Sequence, residues 1–67
     1  TVPFPTPEDL NDKQYAHAYI SRGHAYRTRL DYDQAIADYS AAIRLDEKNA
    51  GAFHSRGNSY HNKKDYD

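Results

Sequence analysis

The sequence predicts an all-α fold, a helix–turn–helix unit followed by one further helix. Three observations predict it. The chain repeats itself at an interval of 34 residues, SRGHAYRTRLDYD at 21–33 returning as SRGNSYHNKKDYD at 55–67. Within each copy, small and aromatic residues recur at steps of three and four, the period of one helix face. Aspartate and asparagine, which cap helix starts, stand between the periodic stretches.

The elements follow in order. Residues 1–10 hold three prolines at alternate positions, Pro3, Pro5 and Pro7. They favour an extended, polyproline-like lead-in. A less favoured reading makes VPFPTP an extended ligand lying along a groove. Thr6-Pro7-Glu8 is suited to open a helical turn, and Asn11 or Asp12 to cap the main helix, and the residues alone leave both options open. The first helix is expected over about 11–29, with Ala16, Tyr19, Gly23, Tyr26 and Leu30 as its stripe. Asp33 is the expected cap of a second helix over about 33–46, whose stripe is Ala35, Ile36, Tyr39, Ala42, Ile43 and Leu45. Asn49 caps a third over about 50–63, where Ala50, Phe53, Gly57 and Tyr60 repeat the first stripe. Lys64 replaces Leu30 there, which predicts fraying or exposure.

The repeat is close. Residues 16–33 laid on 50–67 give nine identities in eighteen positions. Gly23 and Gly57 are among them, although glycine inside a helix costs about 1 kcal/mol relative to alanine. Their presence predicts that another helix passes too near for a Cβ.

Composition narrows the function. At 67 residues the chain is near the lower limit for a self-sufficient core. It has no cysteine, so disulfides and thiolate metal sites are excluded. A net charge of -1 argues against a nucleic-acid or anionic-membrane surface. No apolar run has the length of a membrane span or signal core, so a cytoplasmic location is the expectation. The start at Thr1 reads as a piece of something longer.

The period and residue types together resemble the tetratricopeptide repeat (TPR) family, a 34-residue helix–turn–helix unit. Tyr19, Gly23, Tyr26, Ala35, Tyr39 and Ala42 match its pattern, and RGxxY…DYDxAIxDYxxAIxL is similar to the Arg-Gly variety of bacterial members. Glu47 stands where the pattern has a junction proline. The resemblance covers residues 16–67 and implies a first repeat over 11–49 and half of a second over 50–67. Such arrays need about three repeats to bury a continuous core. It also implies that Phe53, Gly57 and Tyr60 are left uncovered.

Catalytic residues are not expected. The serines lack a nucleophile-elbow context, and there is no phosphate-binding glycine loop. Asp31-Tyr32-Asp33 and Asp65-Tyr66-Asp67 read as turns and caps, because metal loops need further ligands. All four histidines fall on one helical face, about 100° from the core stripe. In the resembled family that face lines the concave groove. The resemblance therefore implies a partner site at His17, Ile20, His24, Arg27, His54, Asn58 and His61, taking a protein or peptide. Ile20, His24 and Ser55 replace the family's carboxylate-clamp residues, so recognition of a peptide's terminal carboxylate by such a clamp is not implied. Arg22 is expected to pair with Asp38 on the second helix, with a partner-binding role as the alternative.

The first expectation is therefore a non-catalytic interaction scaffold without cofactor or metal, with pH sensing by the histidines left open. The second is a homo-oligomer, self-associating through Phe53, Gly57 and Tyr60, with helix exchange as one route. A regulatory segment of a larger enzyme is the third.

Overall fold

A computed structural model describes residues 11–66, and the proline-rich segment 1–10 lies outside them, as does Asp67. Three helices follow: α1 (Asp12–Thr28), α2 (Tyr32–Leu45) and α3 (Ala50–Tyr66). There is no strand among the described residues.

Asn11, rather than Asp12, starts α1. Its side chain accepts from the Gln14 N–H at 2.9 Å, and Gln14 Oε1 accepts from the Asn11 N–H at 2.9 Å. This reciprocal box satisfies two donors that the first turn would otherwise leave open. At the other end the Leu30 N–H bonds to the Arg27 carbonyl and the Asp31 N–H to the Tyr26 carbonyl, each at 2.9 Å. That closure needs a left-handed residue, and Leu30 takes it with φ 64°. Glycine would sit there without strain; for leucine the conformation costs about 1–2 kcal/mol. Leu30 is thus a turn residue, 58% exposed, and not the last member of the core stripe.

The cap of α2 is Asp31, whose carboxylate accepts from the Gln34 N–H at 3.4 Å. Expected at Asp33, the start moves forward because the left-handed turn ends at Leu30 and lets Tyr32 begin the helix. Asp33 remains in the first turn, where its charge faces the positive helix end. Asn49 caps α3 as expected, accepting from the Ala52 N–H at 3.1 Å. That helix runs on past residue 63 to Tyr66, and Lys64 is exposed but helical.

Among the three helices α2 is central, packing on α1 on one side and on α3 on the other. Ala16, Ala42 and Ala52 contribute one fully buried alanine from each helix, and Tyr19, Ile20, Ile43 and Leu45 pack around them. Alanines here let the backbones approach, and Tyr39, fully buried, fills the space between α1 and α2. A Cβ on Gly23 would lie 2.7 Å from the Tyr39 ring, so the glycine makes room for the aromatic. Burial of apolar area of this kind, at about 25 cal/mol per Å², is the main stabilising term.

The two copies bury different faces. On α1 the residues against α2 include Ala16, Gly23 and half-buried Tyr19 and Tyr26. On α3 they are Ala52, Ser55 and Ser59, whose counterparts Ala18, Ser21 and Ala25 are exposed. Ser59 is fully buried and its hydroxyl donates to the Ser55 carbonyl at 2.9 Å, so the polar atom is satisfied inside its own helix.

Candidate functional site

The face predicted as a partner site is built on the outer turns of α1 and α3. His17 and His24 are exposed on α1, with Ile20 between them half-buried against the alanine core. The core cluster that Ile20 joins includes Ala52, so this flank of α1 turns toward α3. Arg27 is half-buried, while His54, Asn58 and His61 on α3 are exposed.

His24 is the best-anchored member. Its Nδ1 lies 2.6 Å from the Tyr39 hydroxyl, and the two rings meet edge-on with centroids 5.4 Å apart. The phenol donates when that nitrogen carries no proton. Burial pushes the Tyr39 phenol above its ordinary range, with Asp38 adding to the effect, while the Arg27 charge and a hydrogen bond with Ser55 offset part of it. The phenol thus joins α2 to α1 beneath His24. His61 approaches Asp65 at 3.6 Å on its own helix, a contact exposed enough to be worth little.

Arg22 behaves as the sequence implied. Its Nε and Nη2 donate to the two Asp38 oxygens at 2.8 and 2.7 Å, a bidentate pair across α1 and α2. Asp38 is only 4% exposed, and its hydrogen bonds and charge raise the Arg22 pKa further. The guanidinium also lies over the Tyr19 and Tyr26 rings, at 5.6 and 5.9 Å. Two clefts of about 230 and 190 Å³ flank it, lined by Ala18 and Tyr19 and by Ala25, Tyr26 and Arg29. Neither cleft involves the histidine face.

On α3, Phe53 is 45% and Tyr60 56% exposed, and none of the described residues comes within 4 Å of a Cβ built on Gly57. Arg56, the counterpart of Arg22, donates to the Ser40 hydroxyl at 3.3 Å and lies 5.5 Å from the Phe53 ring centroid. Among the described residues it has no carboxylate within ion-pairing distance.

The sequence did not foresee the His24–Tyr39 contact, the burial of Tyr32 or the burial of Ser59. Only the first had a usable signal, since residues 24 and 39 flank the close approach that Gly23 marks. Among the described residues no group of three or more histidine, cysteine, aspartate or glutamate side chains could hold a metal. Nor is any described helix long and apolar enough to cross a membrane.

No curated protein and no solved structure matches the chain. A family model described as a TPR repeat matches residues 23–64, well over half of the sequence. The match starts at the glycine under Tyr39, runs through the Asp31-Tyr32 turn and ends just before Asp65. TPR repeats generally mediate protein–protein interactions and are typically non-catalytic. With the 34-residue internal repeat and the helix–turn–helix packing, this match places the chain in the TPR repeat family.

Proposed function

We propose that the chain is a non-catalytic protein–protein interaction module. Its partner, a peptide or helix, lies along the face formed by His17, Ile20, His24 and Arg27 of α1 and His54, Asn58 and His61 of α3. One observation carries this reading. His24 Nδ1 lies 2.6 Å from the hydroxyl of Tyr39, a fully buried residue of α2, so this imidazole is held against a packed base. A preorganised polar face loses little side-chain freedom on binding. Its cation and imidazoles suit an acidic or backbone-presenting peptide.

Amide chemical shifts recorded during titration with a panel of acidic peptides test this. Shifts centred on residues 17, 20, 24, 27, 54, 58 and 61, weakened in the His24→Ala/His54→Ala variant, are expected. Shifts centred elsewhere, or none across the panel, contradict the reading.

Self-association through Phe53, Gly57 and Tyr60 is the competing reading, favoured by the exposure of both aromatic rings. A mass by light scattering that rises with concentration, and falls to monomer in Phe53→Asp and Tyr60→Asp, is its mark.

A further inference from the structure

Helix α1 has a second flank that α2 does not cover. Ala18, Ser21 and Ala25 are exposed there, whereas their counterparts on α3, Ala52, Ser55 and Ser59, are buried. The two clefts beside the Arg22 guanidinium lie along this flank, so small residues alternate with the Tyr19 and Tyr26 rings. Arg22 itself is held in place by Asp38, which makes the track a fixed one. The segment leading into α1 is VPFPTP at 2–7. It cannot cover the flank as a helix. Pro5 and Pro7 lack the N–H that a helix needs, and Phe4 and Thr6, each before a proline, are driven to extended backbone. Extended proline-rich strands are the form that aromatic-lined tracks receive, because they are stiff before they bind.

We propose that residues 2–7 dock in cis along this flank of α1, with the Phe4 ring in the cleft of Ala18, Tyr19 and Arg22. Reach supports it. With Glu8, Asp9 and Leu10 turning the chain back from Asn11, three extended residues at about 3.1 Å each carry Phe4 about 9 Å along the helix. At about 1.5 Å per helical residue, that is level with Ala18 and the first cleft. Pro3 and Val2 continue from there toward the second. The chemistry fits as well. Phe4 offers an apolar ring to Ala18 and a π-face to Arg22, whose guanidinium already lies over the Tyr19 and Tyr26 rings. The chain uses the same pairing elsewhere, since Arg56 lies 5.5 Å from the Phe53 ring centroid. The prolines bring no N–H to leave unpaired against a ring. Attachment to α1 favours the chain's own segment over that of a second copy, because a short tether keeps its local concentration high.

The sequence has no cysteine, so Thr1→Cys carries a single nitroxide spin label and leaves Phe4 intact. In the 67-residue chain the amide signals of Arg22 and Ala25 should lose at least half of their intensity to the label. Adding Phe4→Ser should return at least half of that loss. Phe4→Ser alone should shift amide signals chiefly at Ala18, Tyr19 and Arg22. The labelled parent decides where the segment lies, and the variant decides whether Phe4 holds it there. Three results overturn the proposal. They are intensity loss that is greatest at residues 11–15 and indifferent to Phe4→Ser, loss that is greatest on α3, and loss in an isotope-labelled chain mixed with a separate spin-labelled one, which would mean docking in trans.

Discussion

Helices α1 and α3 carry nearly the same sequence and meet nearly opposite circumstances. Gly23 sits beneath a tyrosine ring, while Gly57 faces open space. Arg22 holds a buried carboxylate through two hydrogen bonds, while Arg56 reaches a serine hydroxyl. Ala18 and Ala25 are exposed, while their counterparts Ala52 and Ser59 are fully buried. Identical residues therefore do not have a fixed role in this chain. Each repeat-type helix has two faces able to receive α2, and its place in the order of helices decides which one is used. The glycine–arginine face belongs to a helix followed by α2. The small-residue face belongs to a helix preceded by it.

Substitutions at matched positions can break or sharpen that contrast. The largest effect is expected at the side chain that covers α1. Tyr39→Ala removes a fully buried aromatic at a cost of about 3–5 kcal/mol, comparable with the whole stability of a chain this small. Circular dichroism should show most of the helical signal lost at room temperature. Tyr60→Ala, on the uncovered helix, should cost under about 0.5 kcal/mol.

Leu30 and Lys64 form a second matched pair. Leu30 is left-handed and Lys64 is helical. Leu30→Gly should stabilise by about 1 kcal/mol, because glycine takes the left-handed position without strain. Lys64→Gly should destabilise by up to about 1 kcal/mol, less if the last turn frays. Denaturant unfolding of the two variants gives both signs in one experiment, and equal signs would mean that the two positions share one backbone conformation.

The smallest effect concerns alkaline pH. Burial favours the neutral Tyr39 phenol, so its pKa in the folded chain lies above that of the unfolded chain. The contribution is fully present below the unfolded value near 10 and is lost as pH rises through the folded value. Stability should therefore fall as the solution becomes more alkaline than ordinary tyrosine titration. Tyr39→Phe should flatten that part of the profile. A profile unchanged by the substitution would mean that the phenol is not shielded.

Much of this was legible in the sequence, for physical reasons that differ by residue. The close approach at Gly23 could be read because a mid-helix glycine is costly and needs a cause. The Arg22–Asp38 pair could be read because a charge near a helix seam needs an opposite one. Three helices followed from the period and the cap Asn49 from its chemistry, whereas the start of α1 stayed open between Thr6 and Asn11 or Asp12 until the Asn11–Gln14 box decided it. Leu30 could not be read correctly. It falls in step with the stripe Ala16–Tyr26, and periodicity carries no information about a backbone that has turned left-handed. That error also displaced the α2 cap from Asp31 to Asp33, since two aspartates flank Tyr32 and either fits the pattern. The burial of Ser59 was hidden because its counterpart is Ala25, and the repeat alone does not say which face of each copy is covered. On the proposed partner face, the helical positions of the histidines could be read from the period, but the phenol that meets His24 comes from another helix.

The central claim is that α2 covers the glycine face of α1 and leaves that of α3 open. Gly23→Ala and Gly57→Ala, compared by thermal melting of the 67-residue chain, test it most directly. The Cβ at position 23 meets Tyr39 at 2.7 Å, so this variant should melt below the parent. At position 57 the Cβ meets none of the described residues, and alanine's better helix propensity should raise the melting point by the equivalent of about 1 kcal/mol. Opposite shifts confirm the asymmetry. A destabilised Gly57→Ala, or a Gly23→Ala as stable as the parent, would contradict it.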